Sequence, residues 1–168
     1  MLTFLDQITE RVLETDVCIA GAGPAGITLA VQLAERGLAV VLLEGGGLAP
    51  PTPEEKSLYD GQTSGRAYPL ETSRLRYFGG TTGHWGGWSR PLDDIDFAVK
   101  PHIEYSGWPI DRAELAPWYA LAHDWLEMPV SEYFQDRDPP FSHKLLTSEH
   151  GLVNRFFRFS CAASFSIP

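Results

Sequence analysis

The chain has 168 residues, of which 43% are hydrophobic and 21% charged, and its formal net charge is −9. That length and composition describe a globular chain with one domain, or one and a fraction, and a core to bury. The acidic balance argues against nucleic acid, whose phosphates need a basic surface, and against anionic lipid; a solvated acidic surface accounts for it.

Residues 1–15 read as a lead-in with one helical turn. MLTFLDQITERVLETD has acids where a secretory leader has lysines, and it lacks a long apolar stretch. No segment approaches the roughly 20 apolar residues that span a bilayer, so the expectation is a cytoplasmic chain with no membrane span. Cys18 and Cys161 are the only cysteines and follow neither a disulfide nor a zinc spacing. Cys18, inside an apolar run, is expected to be a small core residue.

Val17–Ala20 is a short apolar run that ends in glycine, as a buried parallel strand does. GAGPAG follows, then ITLAVQLAERG, in which Ala25, Leu29, Ala30, Leu33 and Ala34 share a helical face. Gly37 stands where helices end. Leu38–Leu43 is a second strand, with Glu44 at its end. Residues 16–44 therefore read as a right-handed βαβ unit.

A bare GxGxxG is weak, because glycines recur in turns, but here it leaves a strand and opens a helix as a dinucleotide fingerprint must. Gly21 permits the tight turn, Gly23 lets the backbone approach a pyrophosphate, and Gly26 lets helix and strand pack closely. The helix N-terminus faces the phosphates with free N–H groups and partial positive charge. Pro24 gives up one donor but suits a first helical turn, and Ala25 completes the motif. Ala30 and Gly37, four and eleven residues after Gly26, keep the helix close to the sheet. Glu44 lies 23 residues after Gly21, where a carboxylate accepts both ribose hydroxyls and repels a 2′-phosphate. The implied ligand is FAD or NAD rather than NADP.

From Gly45 to Phe78 periodicity disappears, apart from a brief helix expected over Glu54–Tyr59. GGTTGHWGGW is then too rich in glycine for a regular helix or strand. Its glycines let backbone N–H groups approach a flat polar ring, Thr81 and Thr82 offer hydroxyls, and Trp85 and Trp88 offer flat walls. A surface loop with two tryptophans packed on the core is the plainer alternative.

The segment RLRYFGGTTGHWGGWSRPLD resembles the flavin-contacting loop of the glucose–methanol–choline (GMC) oxidoreductases, which carry Gly-Gly-Ser/Thr followed shortly by Asn, His-Trp or His-Asn. Gly79, Gly80, Thr81, Thr82, His84, Trp85 and the following Gly86 match. The likeness is nearest to the branch of pyranose oxidases and the large subunits of gluconate and fructose dehydrogenases. GWPIDRAELAPWYALAH, residues 107–123, also looks like that branch. The resemblance implies FAD as cofactor and oxidation of CH–OH groups of sugars or alcohols. It also implies three roles for His84: a covalent link to a flavin ring methyl, a non-covalent flavin contact, or a structural histidine. The covalent link needs a neutral imidazole nitrogen beside the methyl. An NAD enzyme with a coincidental Gly-Gly loop is a weaker third reading of the chain.

Asp111 and Glu114 read as a capping box, and Leu115–Met128 as a helix restarted at Pro117, with Trp118, Leu121, Ala122 and Trp125 on one face. His102, His123, His143 and His150 are scattered and are expected at the surface or at helix ends. GLVNRFFRFSCAASFSIP starts like a strand.

The expected organisation is α/β: a Rossmann-like FAD/NAD(P)-binding βαβ unit with a flavin-contacting loop at 76–92, incomplete as a domain. Residues 1–100 form the N-terminal part of the FAD-binding domain, and 101–168 begin a substrate-side region. GMC proteins are much longer, and the resemblance places their substrate domain and catalytic His with His or Asn beyond residue 168; it fades after about Ser160. No catalytic and no metal-ligating residue is therefore assigned here. Two classes follow: the N-terminal part of an FAD-dependent oxidoreductase, its remainder in a missing C-terminal part or a complementing chain, or a truncated flavin-binding fragment without catalysis.

Overall fold

The computed structural model describes residues 1–128 and 157–160. These fall into two compact units that divide between Trp85 and Gly86.

The first unit opens with a 3₁₀ turn at Leu5–Gln7, then strand β1 (Val17–Ala20), helix α1 (Pro24–Glu35) and strand β2 (Val40–Leu43). The strands are parallel, in register from Val17 beside Val40 to Ala20 beside Leu43. The Asp16 carboxylate accepts the Ala39 N–H at 2.8 Å and the Thr15 hydroxyl donates to the Ala39 carbonyl at 2.6 Å, which ties the entry of one strand to the other. The fold is the expected Rossmann-like βαβ unit.

Helix α1 ends in a Schellman arrangement. Gly37, at φ +85°, donates to Ala34, and Leu38 donates to Leu33 at 3.2 Å. Leu38 is thereby committed to the helix stop, which is why β2 begins at Val40 rather than at Leu38.

Two sequence expectations for this unit need correction. The half-buried stripe of α1 is Gly26, Ile27, Ala30 and Leu33, whereas Ala25, Leu29 and Ala34 are exposed. Close contact at Gly26 sets the helix rotation, and residues four and seven further on follow it inward. Cys18 is exposed, not core: α1 lies against the Val17 and Ile19 side, and Cys18 and Ala20 alternate to the opposite side of a sheet with two strands among the described residues.

After β2 come α2 (Pro53–Lys56), a 3₁₀ turn at Ser57–Tyr59 and α3 (Leu70–Ser73). Helix α2 is capped reciprocally: Glu55 N–H donates to the Thr52 hydroxyl and Thr52 N–H to the Glu55 carboxylate. The unit closes on a 3₁₀ turn at Gly80–His84, regular structure where the glycine content suggested none. Ala22 and Tyr77 are buried, at 1% and 4% exposure, while Leu29, Leu43 and Leu48 stay exposed.

The second unit pairs β3 (Trp88–Ser89) antiparallel with β4 (Arg158–Phe159). The Trp88 ring meets Phe157 and Phe159 edge to face, with centroids 5.5 and 4.8 Å apart. Helix α4 (Asp94–Phe97) starts where Asp96 accepts the Asp93 N–H at 2.8 Å.

Helix α5 (Arg112–Trp125) has the expected capping box, with Glu114 N–H donating to Asp111 at 2.9 Å and Asp111 N–H to Glu114 at 2.8 Å. It runs through Pro117 without restarting. Its inward stripe is Leu115, Tyr119, His123 and Leu126; of the expected face Trp125 is half-buried, while Trp118, Leu121 and Ala122 are exposed. Amphipathic rings turn inward here: the Tyr119 hydroxyl takes the Leu92 N–H at 3.1 Å, a polar anchor no apolar side chain could supply. His123, expected near the surface, is 6% exposed, and His102 is exposed. Cys161, His143, His150 and residues 151–156 of the expected last strand lie outside the described residues. Among the described residues no helix is long and apolar enough to cross a membrane.

Candidate cofactor site

Strand β1 hands over to the glycine turn where the Gly21 N–H donates to the Leu43 carbonyl at 2.7 Å. Gly21 then takes φ +101°, a conformation that disfavours any side chain. Gly23 caps α1, and Pro24 is its first residue. The early N–H groups of α1 have no intrahelical acceptor, and a Cβ on Gly23 would meet no atom within 4 Å. The helix start is thus an open backbone cradle with donors, which suits a pyrophosphate. Gly26 is required for a different reason: its Cβ would lie 2.0 Å from the Gly21 carbonyl oxygen and 3.5 Å from Ile19 Cγ2.

Glu44 follows β2 directly. One carboxylate oxygen accepts the Ala22 N–H at 2.8 Å and the other the Gly46 N–H at 3.0 Å. These bonds hold the carboxylate beside the glycine turn. A carboxylate has about four lone-pair positions, so each oxygen can still accept a ribose hydroxyl. The residues fit an adenine dinucleotide at both its ribose and its phosphates.

The second glycine segment docks on the first. Phe78 N–H donates to the Gly47 carbonyl at 2.9 Å, and Gly79 N–H to the Ala22 carbonyl at 2.8 Å. Gly79 and Gly80 have φ of +93° and +57°, and a Cβ on Gly80 would lie 3.3 Å from the Gly23 Cα. Tyr77 is buried beneath the turn; its hydroxyl occupies the space that a Cβ on Gly83 would need. The Thr82 hydroxyl donates to the Gly79 carbonyl, and Trp85 N–H to the Thr82 carbonyl at 3.3 Å. Thr81, Thr82 and Trp85 are half-buried and His84 is exposed.

Of the sequence-predicted residues, the fold brings Gly21, Gly23, Pro24, Gly26 and Glu44 together with Gly79 and Gly80. Ala25 is exposed on α1, and Gly86 belongs to the second unit. In that unit Arg90, Tyr119, His123 and Met128 help to line a cavity of about 300 Å³. Asp93 takes two hydrogen bonds from Arg90, at 2.7 and 2.6 Å, which hold the guanidinium above its already high ordinary pKa. That pair is structural: it ties β3 to the start of α4.

Residues 14–63 match the family model described as the FAD binding domain. The βαβ unit is an FAD-binding unit. The chain is also similar to a 2-methyl-1,2-propanediol dehydrogenase of Mycolicibacterium austroafricanum, 33% identical over 129 residues, or 63% of this chain and 23% of that protein. Thiamine thiazole synthases of Pyrobaculum aerophilum and Pyrobaculum neutrophilum are each 55% identical over 42 residues, 22% of this chain and 16% of theirs. The chain thus spans less than a quarter of the length of these curated relatives. No solved structure matches it.

Around the FAD-binding unit the sequence reading passed over Arg76, Tyr77 and Gly46. A Cβ on Gly46 would lie 2.0 Å from the Arg76 carbonyl oxygen, so Gly46 is the crossing point of the two segments. The run Gly45-Gly46-Gly47 was the available signal, since three consecutive glycines after a strand mark a close backbone approach.

Proposed function

We propose that this chain is the N-terminal FAD-binding portion of an FAD-dependent oxidoreductase of the GMC type, acting on CH–OH groups of sugars or alcohols. The observation that carries the proposal is the docking of Gly79 and Gly80 on Ala22 and Gly23, which sets a Gly-Gly-Thr turn against a dinucleotide turn. The resemblance of that turn to the GMC flavin loop and the likeness to a diol dehydrogenase support the substrate class. In this reading Gly21, Gly23, Pro24, Ala25, Gly26 and Glu44 hold the ADP half. Gly79, Gly80, Thr81, Thr82, His84, Trp85 and Gly86 form the flavin side, with His84 exposed. The chemistry a bound FAD supplies is acceptance of hydride from the alcohol carbon. The proton-accepting base and the substrate pocket come from outside these residues, and the work is cytoplasmic.

A flavin absorbance spectrum of the purified chain, before and after acid precipitation, tests this. Flavin that stays in the pellet identifies a covalent link, and flavin released to the supernatant a non-covalent one. A chain that takes up no flavin overturns the proposal.

A second reading is favoured by the 23% coverage of the dehydrogenase: the chain alone binds flavin without turnover. Hydride transfer needs the substrate carbon about 3–3.5 Å from the accepting atom and a base within reach of the hydroxyl. Anaerobic mixing of the flavin-loaded chain with aldoses and simple alcohols tests this: no bleaching of the flavin band is expected, and bleaching overturns it by placing the base within this chain.

A further inference from the structure

The Arg76 guanidinium rests against Gly45, the residue after Glu44. A Cβ on Gly45 would lie 2.6 Å from Nε, 2.7 Å from Nη2 and 3.0 Å from Cζ. Near-equal distances to the two nitrogens, with the carbon farther away, mean that the Nε–Nη2 edge faces Gly45. The two flat faces of the guanidinium are not the ones turned to it. Arg76 is half-buried, and its guanidinium has no hydrogen bond or ion pair among the described residues. A half-buried cation without such a partner, set against the residue that follows Glu44, needs a reason to be there.

The path of the chain supplies one. From Arg76 to Gly80 the backbone crosses Gly46 at one end and reaches Gly23 at the other. Those ends are the two ends of an ADP group: the ribose carboxylate at Glu44, and the phosphate cradle at the start of α1. The residues near Gly80 therefore stand by the phosphates, while Arg76 stands by the nucleoside. Adenine is bonded to the ribose carbon next to the 2′-hydroxyl, so a ribose held by Glu44 carries its base out beside Gly45. Gly45 has no side chain to offer, and the Arg76 side chain fills that position. A guanidinium is planar and weakly hydrated, and it stacks on aromatic faces.

We propose that Arg76 recognises the adenine of FAD by stacking its guanidinium on the base, an assignment that rests on the FAD-binding reading of this unit. The test uses the full chain with FAD, ADP and inorganic pyrophosphate as ligands, and the variants Arg76→Ala and Arg76→Lys. Stacking predicts that Arg76→Ala weakens FAD and ADP about three- to thirtyfold. Pyrophosphate affinity is expected to stay unchanged, and Arg76→Lys to recover little, because an ammonium lacks the flat face. Unchanged melting of the variants, followed by circular dichroism, separates lost stacking from lost folding. Equal ADP affinity in wild type and Arg76→Ala overturns the proposal. So does full recovery by Lys together with weakened pyrophosphate binding, which marks a phosphate contact. A wild-type chain that binds neither FAD nor ADP overturns the cofactor reading and this proposal with it.

Discussion

The two glycine-rich segments of the first unit demand glycine for different reasons. In Gly21–Gly26 the demands are local: Gly21 has a positive φ, and Gly26 faces a carbonyl five residues away in the same turn. In Gly79–Gly83 one demand comes from elsewhere, since Gly80 is held near Gly23, while Gly83 gives way to the hydroxyl of Tyr77 six residues before it. Gly46 yields likewise to Arg76, thirty residues later in the sequence. A motif whose constraints lie within itself can be read from a string of letters. A motif whose constraints come from another segment shows only an excess of glycine.

The sharpest way to break this comparison is Gly26→Ala. The new methyl would meet backbone, which cannot swing aside, so the expected loss is about 3 kcal/mol or more by urea denaturation, the upper end for overpacking. Gly23→Ala is its control. Nothing lies within 4 Å of that Cβ and φ is −77°, so stability should change by less than about 0.5 kcal/mol while FAD affinity falls. Equal stability of the two variants would show that Gly26 is not a packing constraint.

Glu44→Ala comes next. Charge-assisted hydrogen bonds of about 1.5–3 kcal/mol imply at least about tenfold weaker FAD, read by flavin titration. The Ala22 and Gly46 N–H groups also lose their acceptor, so the melting temperature should drop as well. Retained FAD affinity would remove Glu44 from the ribose.

Gly83→Ala probes the other segment. The obstacle is a side-chain hydroxyl rather than backbone, so the expected cost is about 1–3 kcal/mol, with part of it recovered in the double variant with Tyr77→Phe. No recovery would mean that Tyr77 does not set this requirement.

The smallest effect belongs to the second unit. Asp111→Ala removes the acceptor for the Glu114 N–H and should cost about 1 kcal/mol, with FAD affinity unchanged. Weaker FAD in this variant would show that the cap of α5 matters to the cofactor.

The sequence by itself determined the βαβ unit, the helix caps and the place of Glu44. Each depends on hydrogen bonds or backbone angles within a few residues, or on a spacing that helix and strand lengths dictate. Thus Asp111 with Glu114 formed where the letters put them. The rotation of the helices was not legible. Apolar spacing pointed to Leu29 and Trp118, but contact at Gly26 turned one helix, and the Tyr119 anchor accompanies the turn of the other. Nor could composition show Cys18 exposed, because alternation along a strand does not say which side a helix will cover. The docking of Gly79 on Ala22, the crossing at Gly46 and the position of Arg76 were decided by tertiary structure alone. They join segments more than 25 residues apart, and short-range stereochemistry carries no record of which distant backbone will come to lie against a glycine.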